Sequence, residues 1–279
     1  MQFLFKIPEK MPTMSIKELL ENYFLIPRKI RHFLRTKKHV LVNGQPVNWQ
    51  STIQAGDSLS LTFDEEDYPT KSILMGQPEL VQELYQDEHI IIVNKPEGMK
   101  THANEPTELA LLNHVSAYVG QICYVVHRLD KETSGAVLFA KNPFVLPILN
   151  RLLEKKDIHR EYWALVEGSF QDKIGRDRHD RRKRLVDNKN GRYAETHVTR
   201  LKVFDKHTLV KCQLKTGRTH QIRVHLSHQG FPLVGDPLYN QLPSKRLMLH
   251  AHRLDFIHPF SLEKICVEAP SESFEKGLK

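Results

Sequence analysis

The most constraining feature of this sequence is a polar turn between two apolar runs, within residues 125–141. A short apolar run leads into the turn, and a second one, residues 136–140, leaves it, which predicts two strands. The turn carries Asp130, so a rigid strand pair would present a carboxylate on a loop, where functional groups are common. Other small or polar residues of the turn are Thr133, Ser134 and Gly135. On these residues alone, an ordinary surface turn is the simpler interpretation.

Length, charge and cysteine usage limit the class of protein. The chain has 279 residues, 40% of them hydrophobic, which suffices for two domains or for one large domain with an appendage. A formal net charge of +8 favours an anionic partner, and nucleic acid is the usual one.

The cysteines, Cys123, Cys212 and Cys266, lie far apart without metal-ligand or redox spacing, which predicts free thiols in a reducing cytoplasm. The N-terminus lacks the apolar core of a signal peptide, and no apolar run approaches the ~20 residues of a membrane span, so we expect no membrane association.

The N-terminal part shows the pattern of a small domain that mixes helices and strands. Residues 15–24 place apolar side chains on one helical face. A second helix is predicted to begin after Pro27, with one apolar face and one basic face. The pair Asn43-Gly44 then predicts a tight hairpin turn, and the alternation in residues 59–63 predicts a closing strand.

This order of elements, over residues 14–63, resembles the alpha-L RNA-binding domain, which occurs in a ribosomal protein and in several RNA-modifying enzymes. The resemblance implies that the basic face of the second helix lies along RNA phosphates, through Arg28, Lys29, Arg31, Arg35 and Lys38. On charge alone, such a run is more often a solvated helix face. The residues that follow are acidic and then contain proline and glycine, which predicts a linker. We therefore expect an α/β RNA-binding domain over residues 1–66, a linker over 67–78 and a second domain over 79–279.

In the second domain, strand patterns alternate with helical patterns until a strongly basic segment interrupts them. Residues 171–192 combine many arginines with no periodicity, which predicts a long loop whose order depends on its ligand. The 16 histidines include no group with a third ligand at a metal-binding spacing, so we predict no metal site. The sequence also lacks the glycine-rich motifs of nucleotide-binding proteins and the G-x-S-x-G elbow of serine hydrolases.

Four stretches of the second domain resemble the RluA/RluD family of RNA pseudouridine synthases, in the order in which that family carries them. They are residues 87–99 (DEHIIIVNKPEGM), 127–135 (HRLDKETSG), 160–168 (REYWALVEG) and 214–226 (LKTGRTHQIRVHL), the last continued by 235–239 (GDPLY). The resemblance covers nearly all of residues 85–260. It implies an α+β fold with a mixed, largely antiparallel central sheet and flanking helices. It also implies a conversion of uridine to pseudouridine in RNA that needs no cofactor.

The resemblance also implies roles for single residues. The catalytic aspartate of the family falls on Asp130, and the arginine that pairs with it falls on Arg223. Tyr162 matches the aromatic residue that stacks on the detached uracil, and Arg128 matches the arginine that enters the RNA helix when the target nucleotide leaves it. His127 would position the turn or contact phosphate. Further RNA contacts are expected from Arg181, Arg182 and Arg218.

Two other functions remain open on the sequence. One is an RNA-binding ribosome-assembly factor with a vestigial synthase site, which the joint presence of Asp130, Tyr162 and Arg223 disfavours. The other is a glycosidase that acts on nucleosides, which would ordinarily need a second carboxylate. We expect a monomer that acts on structured RNA, and we favour ribosomal RNA over transfer RNA.

Overall fold

A computed structural model describes residues 1–69, 72–168, 193–242 and 244–278. Within these residues the chain forms a small N-terminal unit and a larger α+β unit, each with its own main sheet. The predicted basic loop at 171–192, with Arg181 and Arg182, lies outside the described residues.

The N-terminal unit consists mostly of short strands around two helical segments. Its elements are β1 (Gln2–Lys6), β2 (Met14–Ser15), α1 (Ile16–Glu18), a π-helical turn (Leu19–Tyr23), α2 (Arg28–Thr36), β3 (Val40–Val42), β4 (Gln45–Pro46), β5 (Thr52–Ile53) and β6 (Ser58–Thr62). Four of these strands form a sheet in the order β1-β6-β3-β4, and β2 pairs with β5. The Asn43-Gly44 turn joins β3 to β4, and its φ angles of 50° and 77° are those of a tight hairpin turn.

Strand β1 was absent from the sequence prediction. Its burial alternates, with Phe3 and Phe5 buried between exposed neighbours, and all five residues pair antiparallel with β6. The strand is short, and its partner lies more than fifty residues away. Local periodicity is therefore a weak signal for it.

The larger unit follows a short 3-10 turn (Pro78–Leu80). Its elements are β7 (Glu83–Gln86), β8 (Ile90–Lys95), α3 (Leu111–Val119), β9 (Tyr124–Val125), β10 (Ser134–Ala140), α4 (Leu146–Lys155), β11 (His159–Glu167), β12 (Thr196–Val203), β13 (His207–Leu214), α5 (Gln221–His228), β14 (Leu249–Ile257), β15 (Lys264–Glu268) and α6 (Glu272–Lys276). The strand order is β12-β13-β11-β14-β10-β8-β7, with β15 beside β14 and β9 beside β10. Among the described strand pairs of this sheet, β10 and β14 are parallel and the others antiparallel. The predicted mixed, largely antiparallel α+β fold is confirmed.

The two units share one hydrophobic core. Phe5 stacks on Phe260 with ring centroids 4.8 Å apart, and Phe63 lies 5.1 Å from Phe144. The Tyr23 hydroxyl donates a hydrogen bond to the Pro259 carbonyl at 3.0 Å. Deletion of residues 1–66 would expose this core, so point substitutions are the better test of RNA binding by the N-terminal unit. The division of the chain into domains at residues 67–78 stays a prediction.

Candidate active site

Asp130 lies on the turn between β9 and β10, which pair antiparallel. The Thr133 amide donates to the Asp130 carbonyl at 3.1 Å and closes the turn. At the beginning of β10, Gly135 has a φ of 117°, and a Cβ there would lie 2.2 Å from the Ala251 carbonyl oxygen. Only glycine lets β10 approach β14 this closely. The parallel pairing of these strands thus fixes the point where the turn joins the sheet.

Two buried side chains hold the Asp130 turn from the protein interior. Lys95, at the end of β8, donates from Nζ to three backbone carbonyls, including that of Lys131 at 3.1 Å. Thr101 donates to the Leu129 carbonyl at 2.9 Å and accepts from the Leu129 amide at 3.1 Å. Burial lowers the pKa of Lys95 to about 8, although nearby carboxylates oppose the shift. Because both neighbours of Asp130 are held in this way, its backbone position is fixed.

Arg223 brings a cation to Asp130 from helix α5. Its side chain is only 1% exposed, and its Nη1 lies 3.4 Å from Asp130 Oδ2. The stronger contact is with Asp236, whose two oxygens accept from Nε at 2.8 Å and from Nη2 at 2.7 Å. The structure therefore brings Asp130 and Arg223 together and adds a second, buried carboxylate that fixes the guanidinium.

Asp236 is held by the chain that follows it. Its Oδ1 accepts from the amides of Leu238 at 2.9 Å and Tyr239 at 3.2 Å. The Tyr239 ring centroid lies 5.3 Å from the guanidinium carbon of Arg223. Burial on its own would lower the pKa of Arg223, but the ion pair with Asp236, together with Asp130, raises it above its usual value. Arg223 consequently keeps a full charge and one orientation.

His220 is a further side chain beside Asp130. It immediately precedes α5 with a φ of 56°, a left-handed conformation that is uncommon outside glycine and that often marks functional sites. Its Nε2 lies 3.7 Å from Asp130 Oδ2, and its Nδ1 lies 3.1 Å from the Tyr239 hydroxyl. Burial lowers the pKa of His220, although the charge of Asp130 opposes the shift. The imidazole is therefore mostly neutral at pH 7.

Tyr162 lies on β11 and lines the same cavity as Asp130. Its side chain is buried. Burial raises the pKa of its hydroxyl; the charge of Arg160 opposes the shift and that of Asp130 adds to it. The hydroxyl therefore carries its proton at neutral pH.

The two residues at the start of the turn lie in different environments. Arg128 is exposed, and its Nη1 lies 3.3 Å from His102 Nε2. His127 is buried, and its Nε2 accepts a hydrogen bond from the Leu138 amide at 3.2 Å. Burial, with a smaller effect of Arg160, lowers the pKa of His127 to about 3. Its neutral ring thus connects the turn to β10, while Arg128 remains accessible.

Most of these side chains, although neither Lys95 nor Asp236, line one open cavity of about 1100 Å³. Asp130, Tyr162 and Arg223 all contribute to it. Besides Arg223, seven Lys and Arg residues line it: Lys100, Arg128, Lys131, Lys156, Arg160, Lys215 and Arg218. Sites for small molecules measure ~300–1,000 Å³, so the cavity has room for a nucleotide and part of the adjoining backbone. The cations suit contacts to phosphate.

The remaining residues predicted to bind RNA lie mainly on the N-terminal unit. The exposed ones are Arg28, Lys29, Arg35 and Lys38. Arg31 differs because its Nη1 forms an ion pair with Glu21 at 2.5 Å and its side chain is only 15% exposed. In the larger unit, Arg218 is exposed and donates from Nε to the Tyr193 carbonyl at 3.3 Å.

Three residues of the site, Lys95, His220 and Asp236, had no role in the sequence prediction. Lys95 ends a strand whose first four residues are an unbroken apolar run, which is a usable signal for a buried and therefore fully bonded ammonium. His220 and Asp236 gave no such signal, since their contacts with Asp130 and Arg223 arise only in the folded chain.

Within the described ranges, no three His, Cys, Asp or Glu side chains are grouped so that they could hold a metal ion. The same ranges contain no helix long and apolar enough to cross a membrane.

Sequence comparisons match both units. Residues 89–228 match the RNA pseudouridylate synthase family, and residues 3–59 match the RluD ribosomal pseudouridine synthase N-terminal domain. The uncharacterized RNA pseudouridine synthase YhcT of Bacillus subtilis is 38% identical over 290 residues, which cover 98% of this chain and 94% of YhcT. Ribosomal large subunit pseudouridine synthase C of Vibrio cholerae is 31% identical, with 96% and 92% of the two chains covered. Synthase D of Neisseria meningitidis serogroup A is 34% identical, with 83% and 68% covered.

The solved structure of human RNA pseudouridylate synthase domain containing 1 aligns with a TM-score of 0.57 and 27% identity, over 70% of this chain and 85% of that chain. Fold and family matches thus define an RNA-modifying enzyme, and the structure places a carboxylate in its basic cleft. The chain belongs to the RNA pseudouridylate synthase family. It is an isomerase that converts uridine in RNA to pseudouridine.

Proposed function

We propose that this enzyme modifies ribosomal RNA of the large subunit and that Asp130 is its nucleophile. Two of its relatives are named as ribosomal large subunit pseudouridine synthases, and its N-terminal residues match a domain described as that of a ribosomal synthase. The observation that best supports the role of Asp130 is its contact with Arg223, at 3.4 Å, in a cavity that Tyr162 also lines. The proposal includes action as a monomer in the cytoplasm.

The proposed role of Asp130 follows from the bonds that change. The C1′–N1 bond of uridine breaks, the uracil turns, and a bond between C1′ and C5 forms, after which C5 gives up its proton while N1 gains one, so that no atom is gained or lost overall. An ionised carboxylate either attacks C1′ or initiates elimination to a glycal, and the site suits both routes. The Asp130 side chain is 25% exposed and therefore reachable, while the fixed charge of Arg223 stabilises its anion when RNA excludes water.

Tyr162 is proposed to hold the uracil by stacking. A buried ring on a strand keeps one orientation, and a detached base needs such a surface while it turns. Because the pKa of the hydroxyl is raised, the phenol is a poor base for the C5 proton in this state and is better suited to donate a hydrogen bond.

Arg128 is proposed to take the place of the target nucleotide in the RNA helix. C1′ and C5 are inaccessible in stacked RNA, so the nucleotide must leave the stack, at a cost of a few kcal/mol. Arg128 is exposed two residues before Asp130 and lines the cavity, which suits an inserted side chain.

The two alternative functions fit the site less well. Asp236 is a second carboxylate near Asp130, but it is buried and bound by Arg223 and two backbone amides, so it is unsuited to the acid–base role that a glycosidase needs. A vestigial site in an assembly factor would not require the buried pairing of Arg223. Growth rescue by an Asp130→Ala gene as complete as rescue by the wild-type gene would revive that function.

Pseudouridine mapping in total RNA, with and without this gene, tests the substrate. We expect specific positions in large-subunit ribosomal RNA to lose pseudouridine when the gene is absent and to regain it when the gene is restored. Loss confined to transfer RNA would overturn the ribosomal part of the proposal and leave the role of Asp130 standing.

A further inference from the structure

A second open groove lies on the N-terminal unit, apart from the catalytic cavity. It has a volume of about 520 Å³, and none of its lining residues lines the larger cavity. Helix α2 contributes Arg28, Arg31, His32 and Arg35, and the other lining residues are Lys17, Glu21, Trp49 and Gln50. The volume lies within the ~300–1,000 Å³ of sites for small ligands.

The groove has an excess of positive charge that its own acid does not cancel. Glu21 forms an ion pair with Arg31, and this contact keeps the pKa of Glu21 below its usual value. Among the described residues, no carboxylate forms an ion pair with Lys17, Arg28 or Arg35. Glu21 also attracts Lys17 and Arg28 without contacting them, but one acid cannot balance all the cations of the groove, which leaves a net positive charge for an anionic ligand.

Trp49 adds an aromatic surface to these cations. Its side chain is half-buried and packs against the core of the N-terminal unit. Its carbonyl accepts a hydrogen bond from the Lys17 amide at 2.9 Å, so its backbone is tied to the helical turn that carries Lys17. The indole thus lies on a fixed backbone beside exposed cations. Phosphate alone would need only the charges, whereas a nucleotide uses both the charges and a flat apolar surface.

We propose that this groove binds an unpaired nucleotide of the substrate RNA, with its base stacked on Trp49 and the adjacent phosphates at Arg28 and Arg35. The inference rests on the proposed function, in which the substrate is structured RNA. The nucleotide must be unpaired, because a base within a duplex is covered by its neighbours. The groove would then recognise a loop or bulge at a distance from the target uridine.

Fluorescence of Trp49 provides a direct test. The probes are a ten-nucleotide oligouridylate, a ten-base-pair RNA duplex and inorganic polyphosphate, each titrated into the full-length protein carrying Asp130→Asn to prevent turnover. The difference in quenching between this protein and the same protein with Trp49→Phe reports on Trp49 alone, since Trp163 is common to both. We expect quenching by the oligouridylate and none by duplex or polyphosphate. Equal quenching by polyphosphate, or none by the oligouridylate, would overturn the proposal.

Affinity provides the second measurement. Trp49→Ala should bind the oligouridylate roughly 5- to 100-fold more weakly, the range found when a base loses its stacking partner, while Trp49→Phe should bind within about 5-fold of the parent. Rescue by phenylalanine separates stacking from a folding defect. If Trp49→Ala binds as tightly as the parent, the groove does not stack a base.

The groove proposal and the proposed catalytic function can fail independently of each other. Pseudouridine formation by a protein with intact Asp130, combined with no Trp49 signal, would remove the groove proposal alone. Quenching in a protein whose wild-type form makes no pseudouridine would remove the catalytic proposal alone.

Discussion

The two basic regions of this protein hold their cations differently. At the Asp130 site, Arg223 is 1% exposed and contacts two carboxylates, and the buried Lys95 ammonium behind the turn donates to three carbonyls. In the N-terminal groove, Arg28 and Arg35 are exposed and have no ion-pair partner in the described part of the chain. This difference fits the proposed roles, in which buried, paired cations fix the geometry of the reaction and exposed cations attract RNA.

Removal of the carboxylate that holds Arg223 should have the largest effect. Asp236→Asn leaves a buried guanidinium without its main partner, which costs ~3–5 kcal/mol in comparable pairs. The free energy of unfolding in urea should fall by about that amount, and pseudouridine formation should fall with it. Asp255→Asn is the matched control, because the Arg253–Asp255 pair is partly exposed and should contribute less than ~1 kcal/mol. Equal losses in the two variants would show that burial of the pair does not matter.

Two variants separate the contribution of the Tyr162 ring from that of its hydroxyl. Tyr162→Leu removes the proposed stacking surface and should slow pseudouridine formation roughly 5- to 100-fold. Tyr162→Phe keeps the ring and should lose at most about 10-fold, the value of one hydrogen bond. Single-turnover rates on the same RNA measure both variants. A loss in Tyr162→Phe as large as that in Tyr162→Leu would assign the hydroxyl a direct part in proton transfer.

The hydrophobic core that the two structural units share should be sensitive to acid. His89 lies in the shared core, with its ring centroid 4.3 Å from that of Phe260 and 5.4 Å from that of Phe5. Burial lowers its pKa from 6.5 to about 4, although Asp87 opposes the shift. The unfolded chain therefore binds this proton more readily, so stability falls as the pH decreases from about 6.5 towards 4.

His89→Phe should remove that part of the acid sensitivity. Between pH 8 and pH 5 the wild-type protein should lose ~2 kcal/mol more than the variant in urea unfolding. Data at pH 8, where the histidine is neutral in both states, give the reference for each protein. A pH dependence unchanged by His89→Phe would contradict a neutral, buried His89.

The smallest effects are expected on α2, where two arginines differ in pairing. Arg28→Ala should lower the slope of log affinity against log salt by about 0.7 to 0.9, the contribution of one phosphate contact, and leave the free energy of unfolding nearly unchanged. Arg31→Ala should change the slope less, because Glu21 already balances its charge. RNA binding measured between low and moderate salt distinguishes the two. If Arg31→Ala changed the slope more than Arg28→Ala, then Arg31 and not Arg28 would be the residue that contacts phosphate.

Local patterns predicted those parts of the fold that depend on neighbouring residues. The strand–turn–strand at Asp130 and the hairpin at Asn43-Gly44 both have local signals, namely turn residues between apolar runs. The first helix was shorter than its periodicity predicted, because the α-helical turn ends at Glu18 and a π-helical turn follows.

The contacts that hold Asp130 and Arg223 in place could not be predicted from local patterns. Arg223 contacts Asp130 across 93 positions of sequence, and the Arg223–Asp236 pair connects a helix to a loop. The prediction of Arg223 came from a resemblance between sequences, and the same resemblance carried no role for Asp236 or His220. The contacts of these residues depend on the order of strands in the sheet, which periodicity does not encode.

The central claim is that Asp130 performs the chemistry while the basic surfaces bind RNA. The most direct test compares purified Asp130→Asn with wild type on RNA from cells that lack the gene, with Glu132→Gln on the same turn as an isosteric control. We predict that Asp130→Asn makes no detectable pseudouridine yet binds the RNA with nearly wild-type affinity, and that Glu132→Gln remains active. Pseudouridine formation by Asp130→Asn at a rate near that of wild type would contradict the claim.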